Sequence, residues 1–194
     1  MEIINLQQFC ASQKDDRAYL QKPFHLDGKT YATNGNILVE VDGVEHAAAA
    51  ADESVIDTLR SLLSHLPNSE YQPLPAGLPA VESEEYKECK VCGGEGDRRM
   101  CPSCNGHGVF KHHGHDYDCT PCDGVGHTKA ACHYCNATGR VDSAPIRIGR
   151  MRFAGSYLAM IASLPNAKIS TAGTFNIAGF TFQGGRGALM PRRY

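Results

Sequence analysis

Cys89-Lys90-Val91-Cys92-Gly93-Gly94-Glu95-Gly96 is the first of four copies of one pattern, C-x-x-C-x-G-x-G. The second copy is Cys101-Pro102-Ser103-Cys104-Asn105-Gly106-His107-Gly108, and the third is Cys119-Thr120-Pro121-Cys122-Asp123-Gly124-Val125-Gly126. The fourth, Cys132-His133-Tyr134-Cys135-Asn136-Ala137-Thr138-Gly139, has Ala137 where the others have glycine. Two thiolates on one tight turn can both reach an ion at about 2.3 Å, the zinc–sulfur distance. Disulfides would not require so uniform a spacing, whereas tetrahedral metal does. Cys89, Cys92, Cys101, Cys104, Cys119, Cys122, Cys132 and Cys135 are therefore read as ligands of two structural zinc ions per chain. The glycines tolerate positive φ and let backbone amides turn back towards the sulfurs, where such donors stabilise thiolate charge. The ninth cysteine, Cys10, shares a helical spacing with Leu6 and Phe9 and reads as a small core residue.

This fourfold repeat resembles the cysteine-rich domain of DnaJ-type chaperones over residues 89–140, about a quarter of the chain. The resemblance implies nested pairing of the repeats, first with fourth and second with third. One site would then be Cys89, Cys92, Cys132 and Cys135, and the other Cys101, Cys104, Cys119 and Cys122. It does not extend to a J domain, because no His-Pro-Asp tripeptide occurs in the chain. The connections between repeats are also shorter than is usual in that family. His112, His113 and His115, beside Asp116 and Asp118, read as a solvated hairpin tip, with extra metal ligands as the alternative. His133 lies inside a ligand pair, but cysteines already fill both sites.

Outward from the repeats, the chain reads as a flank, a linker, the zinc module and a second flank. In residues 1–66, Leu6, Phe9 and Cys10 suggest a short amphipathic helix within residues 3–13. Phe24–Leu26, Lys29–Ala32 and Ile37–Val41 suggest a meander with turns at Asp27-Gly28 and Asn34-Gly35. Val55, Ile56, Leu59, Leu62, Leu63 and Leu66 mark one face of a core helix over residues 54–66, ended by Pro67. Residues 67–88, with four prolines followed by Glu82, Glu84, Glu85 and Glu88, read as an extended, solvated linker. In residues 141–194, a strand at Ile146–Ile148 leads into a helix over Phe153–Leu164. Short strands follow at Lys168–Ser170, Phe175–Ile177 and Phe180–Phe182, and Gly184-Gly185-Arg186-Gly187 reads as a turn.

The segment Arg152–Pro165 with its following strands, Tyr31–Val41, and Leu189-Met190-Pro191 are similar to a repeat unit of the bacterial sliding clamp. That resemblance implies an α+β fold: a clamp-like helix-plus-antiparallel-meander domain, interrupted by an inserted zinc module of short β-hairpins. Clamp helices are basic, whereas Leu6–Gln13 and Phe153–Leu164 contain no Lys or Arg. One such domain is also too small to encircle a duplex without a homo-oligomer, so a processivity clamp is not expected.

The chain has 194 residues, is 42% hydrophobic and has a formal net charge of -2. Charge is divided unevenly. Residues 1–88 carry 6 Lys and Arg against 15 Asp and Glu, whereas residues 141–194 carry 7 against 1. Either the two flanks attract each other, or a basic face serves an anionic partner. No apolar run approaches the length of a membrane span, about 18 residues, and Met1–Leu6 has no signal-peptide pattern. A cytoplasmic protein with no membrane partner is expected. No phosphate loop, zincin, hydrolase or deaminase motif occurs. All-cysteine zinc sites are coordinatively closed, so no enzyme is expected. The first functional expectation is a nucleic-acid-binding factor of replication, recombination or a mobile element, partnered by DNA or a complex acting on it. Arg147, Arg150, Arg152, Arg186, Arg192 and Arg193 would contact phosphates. The alternative is a protein-binding adaptor, chaperone-like or a phage-type inhibitor of a host complex, using the zinc module as its surface.

Overall fold

The computed structural model describes residues 4–43, 49–50, 53–78, 86–132, 134–135, 137–142, 145–173 and 175–192. They divide into two compact units. The first comprises Met1–Ala11, Arg17–Glu85 and Asp142–Tyr194, and the second comprises Ser12–Asp16 and Tyr86–Val141.

In chain order the strands are β1 (Phe24–Leu26), β2 (Lys29–Thr33), β3 (Ile37–Asp42), β4 (Ala49–Ala50), β5 (Gln72–Pro73), β6 (Tyr86–Glu88), β7 (Arg98–Met100) and β8 (Val109–His112). They continue as β9 (His115–Asp118), β10 (His127–Lys129), β11 (Arg140–Asp142), β12 (Ile146–Ile148), β13 (Met151–Phe153), β14 (Lys168–Ser170), β15 (Ala178–Phe182) and β16 (Gly185–Leu189). The α-helices are α1 (Glu53–Ser64) and α2 (Gly155–Ala162).

The first unit is built on one sheet of order β4-β1-β2-β3-β16-β15-β14-β5. Its seven strands from β1 to β5 pair antiparallel, and β4 joins the edge of β1 in parallel. Side chains alternate along β3, so both faces are apolar. Ile37, Val39 and Val41 enter a core with Leu6, Phe9, Phe153, Leu158, Ile161, Ile169, Phe180 and Leu189. Leu38 points the other way, into a cluster with Phe24, Tyr31, Leu59, Leu66 and Ala188. Helix α1 covers that second face, with Val55, Leu62 and Leu63 packed against it. Helix α2 contributes Leu158 and Ile161 to the first.

This architecture overturns the expected clamp-like helix-plus-meander fold. The described residues are mostly β, with 32% strand against 18% helical including 3-10 turns, and a continuous sheet replaces the repeated unit. Two local causes can be named. The helix expected within residues 3–13 is only a four-residue 3-10 turn, Leu6–Phe9. The Ala11 amide donates to the carbonyl of Leu20 at 2.7 Å, which holds the chain extended after Phe9. The expected turn at Gly184–Gly187 is instead largely β16, the partner of β3. Its glycines lie opposite aromatic residues in the ladder, Gly185 across from Phe182 and Gly187 across from Phe180. A Cβ on Gly187 would lie 2.1 Å from the Phe180 ring and 2.2 Å from the Leu38 carbonyl oxygen. Glycine there makes room for packing and does not mark a turn.

Other expectations shift less. Strand β15 begins at Ala178, and Phe175–Ile177 instead makes a tight turn in which the Ile177 amide meets the Phe175 carbonyl. The linker is not wholly solvated. Gln72 and Pro73 extend the sheet beside β14, and Leu74 and Leu78 pack against the core. Glu82, Glu84 and Glu85 lie outside the described residues. Cys10 is buried, and burial pushes its thiol up to about 11. Among the described residues no helix is long and apolar enough to cross a membrane.

The second unit consists of three two-stranded ladders, β6–β11, β7–β10 and β8–β9. They bracket two clusters of buried cysteine. Residues 12–16 are tied to the same unit. Lys14 Nζ donates to the Glu95 carbonyl at 2.9 Å, and Asp16 pairs with Arg99 at 3.4 Å.

Candidate metal centre

Each repeat makes the same turn. In the first, the Gly94 amide donates to the Cys89 carbonyl and the Glu95 amide to the Cys92 carbonyl, both at 3.2 Å. The corresponding pairs recur in the other three repeats. The amide of the last glycine then points at the second sulfur. Gly96 N–H meets Cys92 Sγ at 3.3 Å, Gly108 meets Cys104 at 3.2 Å, Gly126 meets Cys122 at 3.3 Å, and Gly139 meets Cys135 at 3.2 Å. Donors of this kind favour the thiolate.

Repeats then associate in nested pairs by reciprocal backbone bonds. Cys89 N–H donates to the Gly139 carbonyl and Cys132 N–H to that of Gly96, both at 2.8 Å. Cys101 N–H donates to Gly126 at 2.9 Å and Cys119 N–H to Gly108 at 2.7 Å. Cys89, Cys92, Cys132 and Cys135 thereby form one buried set, and Cys101, Cys104, Cys119 and Cys122 the other.

This close pairing explains which positions must be glycine. A Cβ on Gly96 would lie 2.3 Å from the Ala137 carbonyl oxygen, and one on Gly139 would lie 2.0 Å from that of Gly94. The inner pair repeats this, at 2.1 Å for Gly108 against Gly124 and 2.3 Å for Gly126 against Gly106. The last glycine of each repeat is therefore fixed by backbone meeting backbone. The glycine two residues earlier has side chains as its nearest neighbours, such as Glu88 at Gly94 and Met100 at Gly106. That position needs positive φ but has some space. Ala137 occupies it in the fourth repeat with φ +59°.

The sulfurs fit zinc. A tetrahedron with bonds of about 2.3 Å has edges of about 3.8 Å. Measured edges are 3.9 Å for Cys89–Cys132, 3.7 Å for Cys92–Cys135, 3.8 Å for Cys101–Cys119 and 3.7 Å for Cys104–Cys122. Within each set all four sulfurs lie within 4.8 Å of one another. Four such thiols need a cation among them. Burial, reinforced by the neighbouring sulfurs, pushes Cys119 and Cys135 up to about 12. At Cys101, burial is outweighed by the amides of Ser103 and Cys104, which bring the thiol down to about 7. A zinc ion reverses the upward shifts by supplying the missing positive charge. Two zinc ions per chain fit these sets, each held by four sulfurs with no ligand position left over. The protein is accordingly a metal-binding protein with zinc-finger-like modules.

His112, His113, His115, Asp116 and Asp118 lie on the exposed β8–β9 hairpin. Among the described residues only the eight cysteines form converging sets of three or more ligands.

Five of the six expected phosphate-binding arginines lie within the described residues. Arg186 on β16 is committed to the sheet. Its Nε donates to Glu40 Oε1 at 2.9 Å and its Nη2 to Oε2 at 3.3 Å. Glu40 lies on β3 directly opposite, is buried, and also accepts from Lys29 Nζ and Tyr31. Burial would raise the Glu40 carboxyl, but the Arg186 and Lys29 bonds outweigh it and hold it below the usual range. This buried network was not anticipated. Its sequence signal is a lone carboxylate at a core position of Ile37-Leu38-Val39-Glu40-Val41. Arg147 and Arg152 are cross-strand partners on β12–β13, and Arg150 sits in the turn between them. The Arg192 amide donates to the Arg152 carbonyl at 2.8 Å. Arg193 lies outside the described residues.

Compared with models of protein families, with curated proteins and with solved structures, the chain has no match.

Proposed function

We propose that this is a non-enzymatic, zinc-scaffolded nucleic-acid-binding factor of DNA transactions, whose phosphate contacts come from the β12–β13 ribbon. The observation that carries this reading is the ladder pair Arg147–Arg152. The two arginines are exposed and directly opposite, with Arg150 at the turn. Arg147 Nε donates to the Gly149 carbonyl at 3.0 Å, which fixes its guanidinium beside the turn. The inward residues Ile148 and Phe153 anchor the ribbon in the core, so its charged face is presented on a rigid base. Arg186 is already paired with Glu40. Eight thiolates that must stay reduced suit the cytoplasm.

The test is duplex binding across a salt series. A steep fall of affinity with salt supports the reading. Arg147→Ala and Arg152→Ala should each weaken binding and lower the slope of log affinity against log salt by about one. No binding at low salt would refute it.

A specific observation favours a second reading, a protein-binding adaptor. Of the eight large hydrophobic side chains exposed among the described residues, six lie on the zinc unit: Val91, Met100, Phe110, Tyr117, Val125 and Tyr134. In that unit Lys and Arg balance Asp and Glu at eight each. Two zinc tetrathiolates, each formally -2, therefore leave the loaded unit at a formal -4. Such a surface repels phosphate and suits an apolar or basic polypeptide. Under this reading, substitutions at Phe110 and Tyr117 abolish capture of a partner protein, and the Arg147 and Arg152 variants leave it unchanged.

A further inference from the structure

Outside the two zinc sets, a group of metal-ligating side chains sits at the tip of the β8–β9 hairpin. The tip is a two-residue turn, His113-Gly114, with both residues at positive φ, +48° and +81°. That turn fixes the register and makes His112 and His115 direct cross-strand partners. Opposed residues have Cβ atoms about 4.5–5.5 Å apart on the same face of a ladder. The His113 ring packs edge-on to that of His112, with centroids 4.1 Å apart. The hairpin is exposed from Phe110 to Asp118.

We propose that His112 and His115 chelate a third, exchangeable divalent metal ion, distinct from the two structural zinc ions. Two imidazoles from opposed strands can each place one ring nitrogen on a shared ion at about 2.0–2.1 Å. Their chemistry selects borderline ions of the zinc, nickel and copper class over magnesium or calcium. Electrostatics favours a cation here over an anion. Asp116 and Asp118 flank the histidines against the single Lys111. Cys119, a ligand of the inner zinc site, directly follows β9, so a tetrathiolate of formal charge -2 lies at the base of the hairpin. No third protein ligand converges on the pair among the described residues. Water completes the coordination sphere, so the site is weaker than the closed four-sulfur sites and exchanges freely. It would load and empty while the structural ions stay in place.

The experiment is calorimetric titration of zinc chloride into the full chain already carrying its two tight zinc ions, at neutral pH. The expected result is one further, weaker equivalent that disappears in the His112→Ala/His115→Ala double variant. That variant should keep both tight ions, because neither histidine touches a cysteine site. His113→Ala should keep the third equivalent. Nitrogen-detected spectra of the histidine rings should move at His112 and His115 on titration. The proposal is overturned if no third equivalent appears, if it survives the double variant, or if only the His113→Ala variant loses it.

Discussion

Replacing Ala137 by glycine should tighten the outer zinc site. Ala137 has φ +59°, where the first three repeats carry Gly94, Gly106 and Gly124 at +79°, +82° and +76°. An L-residue in the left-handed region costs about 1–2 kcal/mol. Glycine gives back about 0.5–1 kcal/mol through its greater freedom in the unfolded chain. The net gain is about 0.5–1 kcal/mol, and because zinc binding and folding of such modules are one process, it appears as affinity. At about 1.4 kcal/mol per tenfold, Ala137→Gly should hold the outer ion about two- to fivefold more tightly. The same position in the third repeat gives the reverse test. Gly124→Ala should loosen the inner ion by a similar factor, with Asp118 Oδ1, 3.1 Å from the new Cβ, giving way. Gly126→Ala is different in kind, because its Cβ would lie 2.3 Å from the Gly106 carbonyl oxygen. The inner site should then fail altogether. The assay is competition with a chromophoric chelator, read as two release steps. An Ala137→Gly protein with an unchanged or looser outer site would refute the reasoning. So would a Gly126→Ala protein no worse than Gly124→Ala.

Three further outcomes are expected. Cys89→Ser should release the ion shared with Cys92, Cys132 and Cys135 and leave the ion of Cys101, Cys104, Cys119 and Cys122 in place, as native mass spectrometry of the variant would show. Glu40→Gln should destabilise the sheet unit by about 1–3 kcal/mol at neutral pH, discounted from a fully buried pair because Lys29 and Arg186 are partly exposed. The Glu40 carboxyl sits below its ordinary value when folded. Its stabilisation is therefore complete above the unfolded value of about 4.3 and is lost as pH falls through the folded one. Denaturant melts should show wild type and Glu40→Gln converging only in that acidic range. Gly187→Ala should unfold the sheet unit, because its Cβ meets the Leu38 carbonyl oxygen at 2.2 Å; a native-like circular dichroism spectrum and melt would contradict this.

The zinc site was legible in the sequence because its constraints are local. Metal geometry sets the Cys-x-x-Cys spacing within a single turn, and backbone contact forces glycine at Gly96, Gly108, Gly126 and Gly139. The pairing of repeats is a long-range matter, carried by bonds such as Cys89 to Gly139, and only the resemblance to another family supplied it. The sheet strands with alternating β-branched and apolar residues, such as Lys29–Thr33 and Ile37–Asp42, were also legible. Strand β16 was not. Gly185-Arg186-Gly187 has the composition of a turn, and what makes it a central strand lies elsewhere in the chain. Phe180 and Phe182 need the vacant space across the ladder, and Glu40 needs the Arg186 guanidinium. The helical spacing of Leu6, Phe9 and Cys10 misled for a related reason, since one long-range bond from Ala11 to Leu20 ends the turn. The clamp-like pattern was assembled from such short segments, and the pairing of β3 with β16 joins them into a different sheet.

The central claim is that each chain holds two zinc ions in closed four-cysteine sites. Native mass spectrometry of the purified protein, paired with thiol counting after denaturation, tests it most directly. The account predicts a chain carrying two zinc ions with all nine cysteines reduced. A chain carrying one ion or none, with disulfides among Cys89, Cys92, Cys101, Cys104, Cys119, Cys122, Cys132 and Cys135, would contradict it.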